Sequence, residues 1–382
     1  MKFKFVSLVK KVSFRGSSLL KAVDFYAGIP LLFFISKFRR KKVLPDQPTK
    51  IGIMVLSAIG DSILSSSLLP SIKVKYPAVE IIVFCTASNS GVFKVLKGWD
   101  QIVVLPIMNP LKSYKLIHKN SVDVLIDTSQ WPRLPAIYSA MSNSFTVGFK
   151  TDGQFRHYAY DLFARHSSEH HEINNFYNLL NPIHINENSI PIINYQALDD
   201  LSMADFPEHN FLIFHPWAGG TQCQMREWPS DNWVELGRLL ISLGYKVLIT
   251  GGSDDIEKTE KLIECIGDNI SVTSAAGKYN LMQTAKLIKL SRGVVSVNTG
   301  IMHLASALDV PLVALHGPTN VKRWGPIGSK SKVVAVSSEN GGQFLNLGFE
   351  YSKSAKYIMD KISVREVFNS LIPFLDTNNS YE

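Results

Sequence analysis

The chain has 382 residues, 46% of them hydrophobic and 19% charged, which supplies ordinary cores and argues against a largely disordered polypeptide. Its 24 glycines and 18 prolines exclude collagen-like and low-complexity chains, and three dispersed cysteines (Cys85, Cys223, Cys265) with no CxxC pair exclude a disulfide scaffold and fit a reducing compartment. The net charge of +8 is concentrated at one end: residues 1–50 hold nine Lys and three Arg against two Asp, while the rest of the chain holds 28 basic and 30 acidic side chains. A body so nearly neutral lacks the basic face that nucleic-acid binding requires.

In chain order, residues 1–42 interleave lysines with aromatic and aliphatic residues and end in Arg39-Arg40-Lys41-Lys42. The longest uncharged run, Phe25–Ser36, is too short to span a bilayer comfortably, and no small-residue cleavage site follows it. The composition suits a segment lying in a membrane interface with its lysines on anionic head groups. A basic helical extension packed on the body is the plainer alternative. Pro45–Pro48 reads as a short linker.

The body then alternates strand-length apolar runs with helical spacing. Ile51–Leu56 is a buried strand, Ser57–Asp61 turns the chain, and Ser62–Tyr76 has helical periodicity up to Pro77. Ile81–Cys85, Ile102–Leu105 and Val122–Ile126 continue the strand pattern. From Thr151 to Asn210 the chain is polar and His-rich, and reads as the rest of a first domain plus a connection. Phe211–Phe214 restarts the alternation. A loop over His215–Glu227 follows, then a helix from Pro229 to Leu243, a strand at Lys246–Thr250, a helix over Leu281–Leu290, and a strand at Gly293–Val297. Asn298-Thr299-Gly300 opens a helix to Leu308, Leu312–Leu315 is a strand, and Val364–Leu375 a closing helix. Continuous apolar strands separated by helices predict parallel sheets covered on both faces. Two such units bind ligands where strand C-termini meet helix N-termini, which gathers Asp61 and the 215–227, 251–254 and 298–303 segments.

Four segments in register carry a family resemblance: LSAIGDSILSSSLLPSIKVKYP (56–77), HPWAGGTQCQMREWPSDNWVELGRLL (215–240), VSVNTGIMHLASAL (295–308) and PLVALHGPT (311–319). Over about residues 51–325 the sequence resembles glycosyltransferase family 9, the bacterial lipopolysaccharide heptosyltransferases. The resemblance implies an α/β GT-B fold, two Rossmann-like doubly wound domains facing a central cleft, here with a basic N-terminal extension. The chain is expected to divide into a basic amphipathic membrane-surface extension over 1–48, which lies outside the resemblance, an acceptor domain over 49–207, a nucleotide-sugar domain over 208–350, and a C-terminal helix over 351–382 packing back toward the N-terminal domain. The resemblance also implies inverting transfer without a metal or a bound cofactor, heptose from ADP-heptose being the expected co-substrate. A lipid-linked saccharide is the expected acceptor, with the enzyme in the cytoplasm on the anionic inner-membrane surface. Other nucleotide sugars (UDP- or GDP-linked), a non-catalytic binding relative and an epimerase of the same build are the rivals. No GxGxxG follows the first strand, which disfavours an oxidoreductase.

Asp61 is open to two readings from its residues alone, a helix N-cap or the base that accepts the acceptor hydroxyl's proton; the matching family position implies the base. Asn298, Thr299 and Gly300 start a helix whose free N–H groups and dipole suit a diphosphate, and His303 is one turn further in, as a phosphate donor or a core histidine. Many relatives have Asp where this chain has Asn298. Arg226 matches a family lysine that contacts the donor phosphates, Thr221 and Gln222 match positions near the diphosphate, and Asp254 either binds the ribose or caps its helix. For the acceptor the expected residues are Gln130, Arg133 and Arg156. His170 and His171 lack partners that would make them metal ligands.

Overall fold

The computed structural model describes residues 18–201, 210–220, 222–268, 270–345 and 357–376, with side chains from Ala22 onward. The first sheet comprises β1 (Lys50–Val55), β2 (Glu80–Cys85), β3 (Gln101–Val104), β4 (Val124–Asp127), β5 (Phe145–Lys150) and β6 (Leu162–Arg165), in the order 3-2-1-4-5-6. The second comprises β7 (Phe211–His215), β8 (Lys246–Ile249), β9 (Val272–Ser274), β10 (Gly293–Val297), β11 (Leu312–His316) and β12 (Ser331–Ala335), in the order 12-11-10-7-8-9. All pairings within both sheets are parallel. Renumbered from its own first strand, the second sheet repeats the order of the first, so the molecule is built from two doubly wound Rossmann-type units, as the sequence predicts.

The central strands read as unbroken apolar runs because helices cover both faces of each sheet. Residues 51–55 of β1 and 293–297 of β10 are buried throughout. In each sheet the strand order reverses once, between β1 and β4 in the first and between β7 and β10 in the second, and at these reversals the crossover helices leave in opposite directions and open a crevice.

Several predicted elements differ in detail. The helix expected over Ser62–Tyr76 is two, Ile59–Ser65 and Leu68–Lys75. Pro70 explains the break: it has no N–H to give the Ser66 carbonyl and its ring would collide with that group, whereas in the first turn of a new helix it costs little. The stretch read as a polar connection contains β6 and the helix Glu172–Asn178. The short β9 and the partly exposed β12 also went unread, having too few buried residues for an apolar run.

The closing helix, Val364–Asp376, corrects an expectation. It lies on the second sheet and not back toward the N-terminal domain: Val364, Val367, Leu371 and Leu375 repeat at three- and four-residue intervals and join the core formed by Trp233, Val295, Val313 and Leu315. The expected domain boundary at 207–208 and the end of the nucleotide-sugar domain at 350 fall outside the described residues.

Of the N-terminal extension, residues 1–17 are outside the described part. The rest forms the helices Ser18–Tyr26 and Gly28–Phe38, which pack on the first domain. Leu32 is buried with Ala136, Ala140, Ala159 and Tyr160. Asp24 accepts from Arg133 at 2.8 Å, and Arg39 holds Asp161 at 2.6 Å. No helix among the described residues is long and apolar enough to cross a membrane.

Candidate functional site

The two strand-order reversals face one another. The segment that leaves β1 becomes the helix Ile59–Ser65, and the segment that leaves β10 becomes the helix Gly300–Ala307. Their first turns touch across the domain boundary. A Cβ added at Gly300 would lie 2.7 Å from Ile59 Cβ, and one added at Gly60 would lie 2.7 Å from the His303 ring. Glycine is required at both positions by this approach of one backbone to the other. Asp61, next to Gly60, is therefore brought to the start of the Gly300–Ala307 helix.

Asp61 is half-buried at the third helical position, and its Oδ2 accepts the Ala58 N–H at 3.4 Å. Ala58 itself occupies the N-cap position. The carboxylate is thus anchored to its own helix start by a long bond from within the first turn, which differs from the plain N-cap the sequence allowed.

On the facing side Thr299, not Asn298, is the N-cap, and its hydroxyl makes no capping bond. The Asn298 side chain is turned into the protein, where Nδ2 donates to the Trp324 carbonyl at 3.1 Å and lies 3.4 Å from His316 Nε2. It fastens the end of β10 to the segment beyond β11. His303 is buried against Gly60. Burial, with the neighbouring His171 and His316, pushes its pKa down to about 3, so the ring is neutral at pH 7.

The 219–226 loop closes a third side. Gly220 (φ 92°) and Gln222 (φ 50°) are both left-handed, and the exposed Gln222 leads into a short 3-10 turn, Cys223–Arg226. Arg226 donates to the Asn298 carbonyl at 3.3 Å and to the Gly219 carbonyl, which ties this loop to the helix start. Thr221 lies outside the described residues. Three buried polar atoms gathered here have no hydrogen-bond partner: Thr299 Oγ1, His303 Nδ1 and Arg226 Nε. Orphaned groups of this kind are uncommon in folded proteins and call for a ligand or solvent partner. Combined with the N–H groups of the first turn of the Gly300–Ala307 helix, they leave unused hydrogen-bonding capacity on this side of the junction, of a kind that suits an anion. Asp254 is exposed beyond the end of β8; the capping bond of its turn is made by Asp255, which accepts the Gly252 N–H at 2.9 Å.

The residues expected to contact the acceptor, Gln130, Arg133 and Arg156, are all buried. Arg156 is fully buried, bonded to Asp127 and to the Ser129 and Pro132 carbonyls. Arg133 is buried between Asp24 and Gln154, with Phe25 stacked at 5.0 Å from its guanidinium. Gln130 is at the junction of the domains, where Arg323 of the second domain donates to its oxygen at 2.9 Å. In each case a carboxylate or carbonyl cluster that no local pattern reveals has drawn the side chain inward.

Gln130 belongs to an interdomain cluster that sequence reasoning missed. Arg323, with no solvent exposure, inserts into the first domain and donates to Glu172 Oε2 at 2.9 Å; His166 Nε2 is 3.0 Å from the other oxygen, and Gln130 donates to the same carboxylate. Burial alone would raise the Glu172 pKa, but His166 and Arg323 outweigh it and hold the carboxyl below its usual range. One residue earlier, His171 accepts the Ile173 N–H through Nδ1, which leaves Nε2–H to donate to the Gly325 carbonyl at 2.9 Å. These partners are some 150 residues apart, beyond any spacing signal.

The family model for Glycosyltransferase family 9 (heptosyltransferase) matches residues 112–346, more than half of the chain. The chain belongs to glycosyltransferase family 9. Lipopolysaccharide heptosyltransferase 2 of Salmonella typhimurium is 32% identical over 113 residues, which cover 29% of this chain and only 32% of that protein. Lipooligosaccharide heptosyltransferase 2 of Haemophilus ducreyi is 24% identical over 328 residues, covering 75% of this chain and 88% of the relative. Among solved structures, Escherichia coli ADP-heptose LPS heptosyltransferase II superposes with a TM-score of 0.67 at 20% identity, covering 87% of this chain and 100% of that one. The two-domain GT-B architecture of family 9 is therefore the architecture of this protein.

Two predictions test the electrostatics. Burial also pushes His215 and His316 down to about 4, so with His303 three histidines are folded in their neutral form. The unfolded chain takes up these protons near pH 6.5 and the folded chain only well below it. Stability is then full above about pH 6.5 and declines as pH falls toward 4, by up to about 1.4 kcal/mol per pH unit for each histidine. Urea unfolding at pH 7, 6 and 5 measures this slope, and a flat profile contradicts neutral burial. Second, Arg323→Met strands the Glu172 carboxylate and costs about 3–5 kcal/mol in urea unfolding at pH 7, part of it recovered by adding Glu172→Gln. A loss below about 1 kcal/mol would show that the buried pair is not closed in solution.

Proposed function

We propose that this chain is an inverting, metal-independent transferase that moves heptose from ADP-heptose onto a lipopolysaccharide core or a related glycolipid. One observation carries the mechanism: the turn bearing Asp61 packs directly against the anion-receptive start of the Gly300–Ala307 helix, across the domain boundary. Family membership supports sugar transfer. The name of the Escherichia coli structural neighbour, which specifies ADP-heptose, supports the choice of donor.

In this reading the acceptor hydroxyl approaches the anomeric carbon from the Asp61 side. Asp61 takes its proton as the new glycosidic C–O bond forms, the bond from the anomeric carbon to the donor phosphate breaks, and the nucleoside diphosphate leaves with the electron pair. Negative charge develops on the leaving oxygen. The Gly300–Ala307 N–H groups, the Thr299 hydroxyl, neutral His303 and the Arg226 guanidinium meet that charge and do the work a metal ion would otherwise do. Thr221 and Gln222 flank the diphosphate, Asn298 holds the helix start in place, and Asp254 reaches the ribose. Gln130 and Arg156 act from behind the acceptor by fixing the loop that follows β4, and Arg133 by anchoring the extension beside it. The basic extension keeps the enzyme on the cytoplasmic face of the inner membrane.

Asp61→Asn is expected to lower transfer by at least about a hundredfold while leaving thermal stabilisation by ADP near the wild-type value. Stabilisation of the wild type by ADP, UDP and GDP in parallel, followed by nucleotide release with core-lipid acceptors before and after chelation, checks each part of the reading. Near-wild-type turnover by folded Asp61→Asn removes the base. Stabilisation by UDP alone removes ADP-heptose, and activity lost on chelation removes metal independence.

A further inference from the structure

The helix Gly28–Phe38 is apolar on both sides. Its inner face, with Gly28 and Leu32, packs on the first domain, as any amphipathic helix would. The outward arc should then be polar, yet it presents Leu31, Phe33, Phe34 and Phe38, the last two 62% and 70% exposed, with Lys37 as its only charge. Exposed large apolar clusters of this kind mark an interaction surface.

The cluster continues onto the body. Phe33 meets Tyr158 edge-on at 5.7 Å, and Tyr158 stacks with Phe155 at 6.4 Å and lies against His157, whose ring meets Phe163 at 5.5 Å. Phe155, Tyr158 and Phe163 remain 41–44% exposed despite these contacts. Phe155 is also held at φ 58°, a conformation costly for a bulky residue. Lys150 lies over the Phe163 ring, Arg165 pairs loosely with Asp152 at 3.5 Å, Lys37 is exposed on the same helix, and the exposed Arg40 and Lys41 follow that helix directly in the chain.

An aromatic centre with a basic rim selects its occupant. A second copy of this chain would set one basic rim against another. Residues 1–17 carry Lys2, Lys4, Lys10, Lys11 and Arg15 with no acidic residue, so as a cover for the patch they would meet the same repulsion. An anionic bilayer supplies both an apolar interior for the rings and negative head groups for the rim. Gly28, on the inner face of the same helix, rests on the Arg133 side chain at the start of the helix that follows β4, so the helix that carries the patch is seated beside the C-terminal end of that strand.

We propose that the outward face of Gly28–Phe38 and the Phe155–Phe163 segment form one membrane-docking surface for anionic lipid, half of it supplied by the body of the acceptor-side domain. This rests on the reading above that the protein works at a membrane, and it adds a second contact that residues 1–42 do not contain. The test is co-flotation of the full chain with phosphatidylethanolamine–phosphatidylglycerol vesicles and with phosphatidylcholine vesicles. Phe155→Ser/Phe163→Ser is expected to weaken partitioning onto the anionic vesicles by about tenfold or more, as is Phe34→Ser/Phe38→Ser, with thermal stabilisation by ADP unchanged in both. Arg40→Gln/Lys41→Gln, which leaves the packed rings intact, should lower anionic partitioning by about tenfold as well. Wild-type partitioning by the Phe155/Phe163 variant overturns the proposal and leaves membrane association through the extension standing. Failure of the wild type to float overturns both without touching the donor chemistry. Equal binding to phosphatidylcholine overturns the charge-selective surface, and a lipid-free dimer that dissociates in the Phe34/Phe38 variant overturns the choice of occupant.

Discussion

The contact between Gly60 and His303, with its mirror between Gly300 and Ile59, is the constraint on which the rest of the structure depends. Two helix starts from different domains approach until only hydrogen fits between a backbone and its neighbour. That approach brings the Asp61 carboxylate of one domain to the start of the Gly300–Ala307 helix of the other, the pair on which the proposed transfer rests. It also restricts the site: a side chain at either glycine would push the domains apart and move Asp61 away from the opposing helix.

Such an approach has to be held in place. The buried cluster of Arg323, Glu172, Gln130 and His166 is a plug of one domain in the other, with His171 and the Gly325 carbonyl beside it. Buried charges are a costly means of cohesion, and here the guanidinium reaches Glu172 and Gln130 together only in this relative placement of the domains. Both this plug and the glycine contact lie at or just beyond strand C-termini. The domain junction and the proposed site are therefore parts of one surface.

The proposed membrane-docking patch fits the same arrangement. The extension is fastened to the first domain by Asp24–Arg133 and Arg39–Asp161, so a residue expected to meet the acceptor directly instead anchors the helix beside it. A lipid-linked acceptor would then reach the cleft from the side on which its bilayer is held, which connects the basic N-terminal charge seen in the sequence with the first-domain flank seen in the fold.

Much of this was legible before any coordinates. Apolar runs such as Ile51–Val55 and Gly293–Val297 declare buried parallel strands because helices cover both their faces, and the turns at Asp61 and Asn298–Gly300 declare strand-to-helix junctions because glycine and capping residues cluster where the chain changes direction. These signals are local, and so they survive in one dimension. The inward turn of Asn298, the capture of Arg133 and Arg156 by carboxylates, the docking of Val364–Asp376 on the second sheet and the insertion of Arg323 beside Glu172 were decided only by tertiary packing. Each depends on groups tens to some 150 residues away, or on which of two apolar surfaces a helix meets, and neither hydrophobic period nor residue spacing records such pairings.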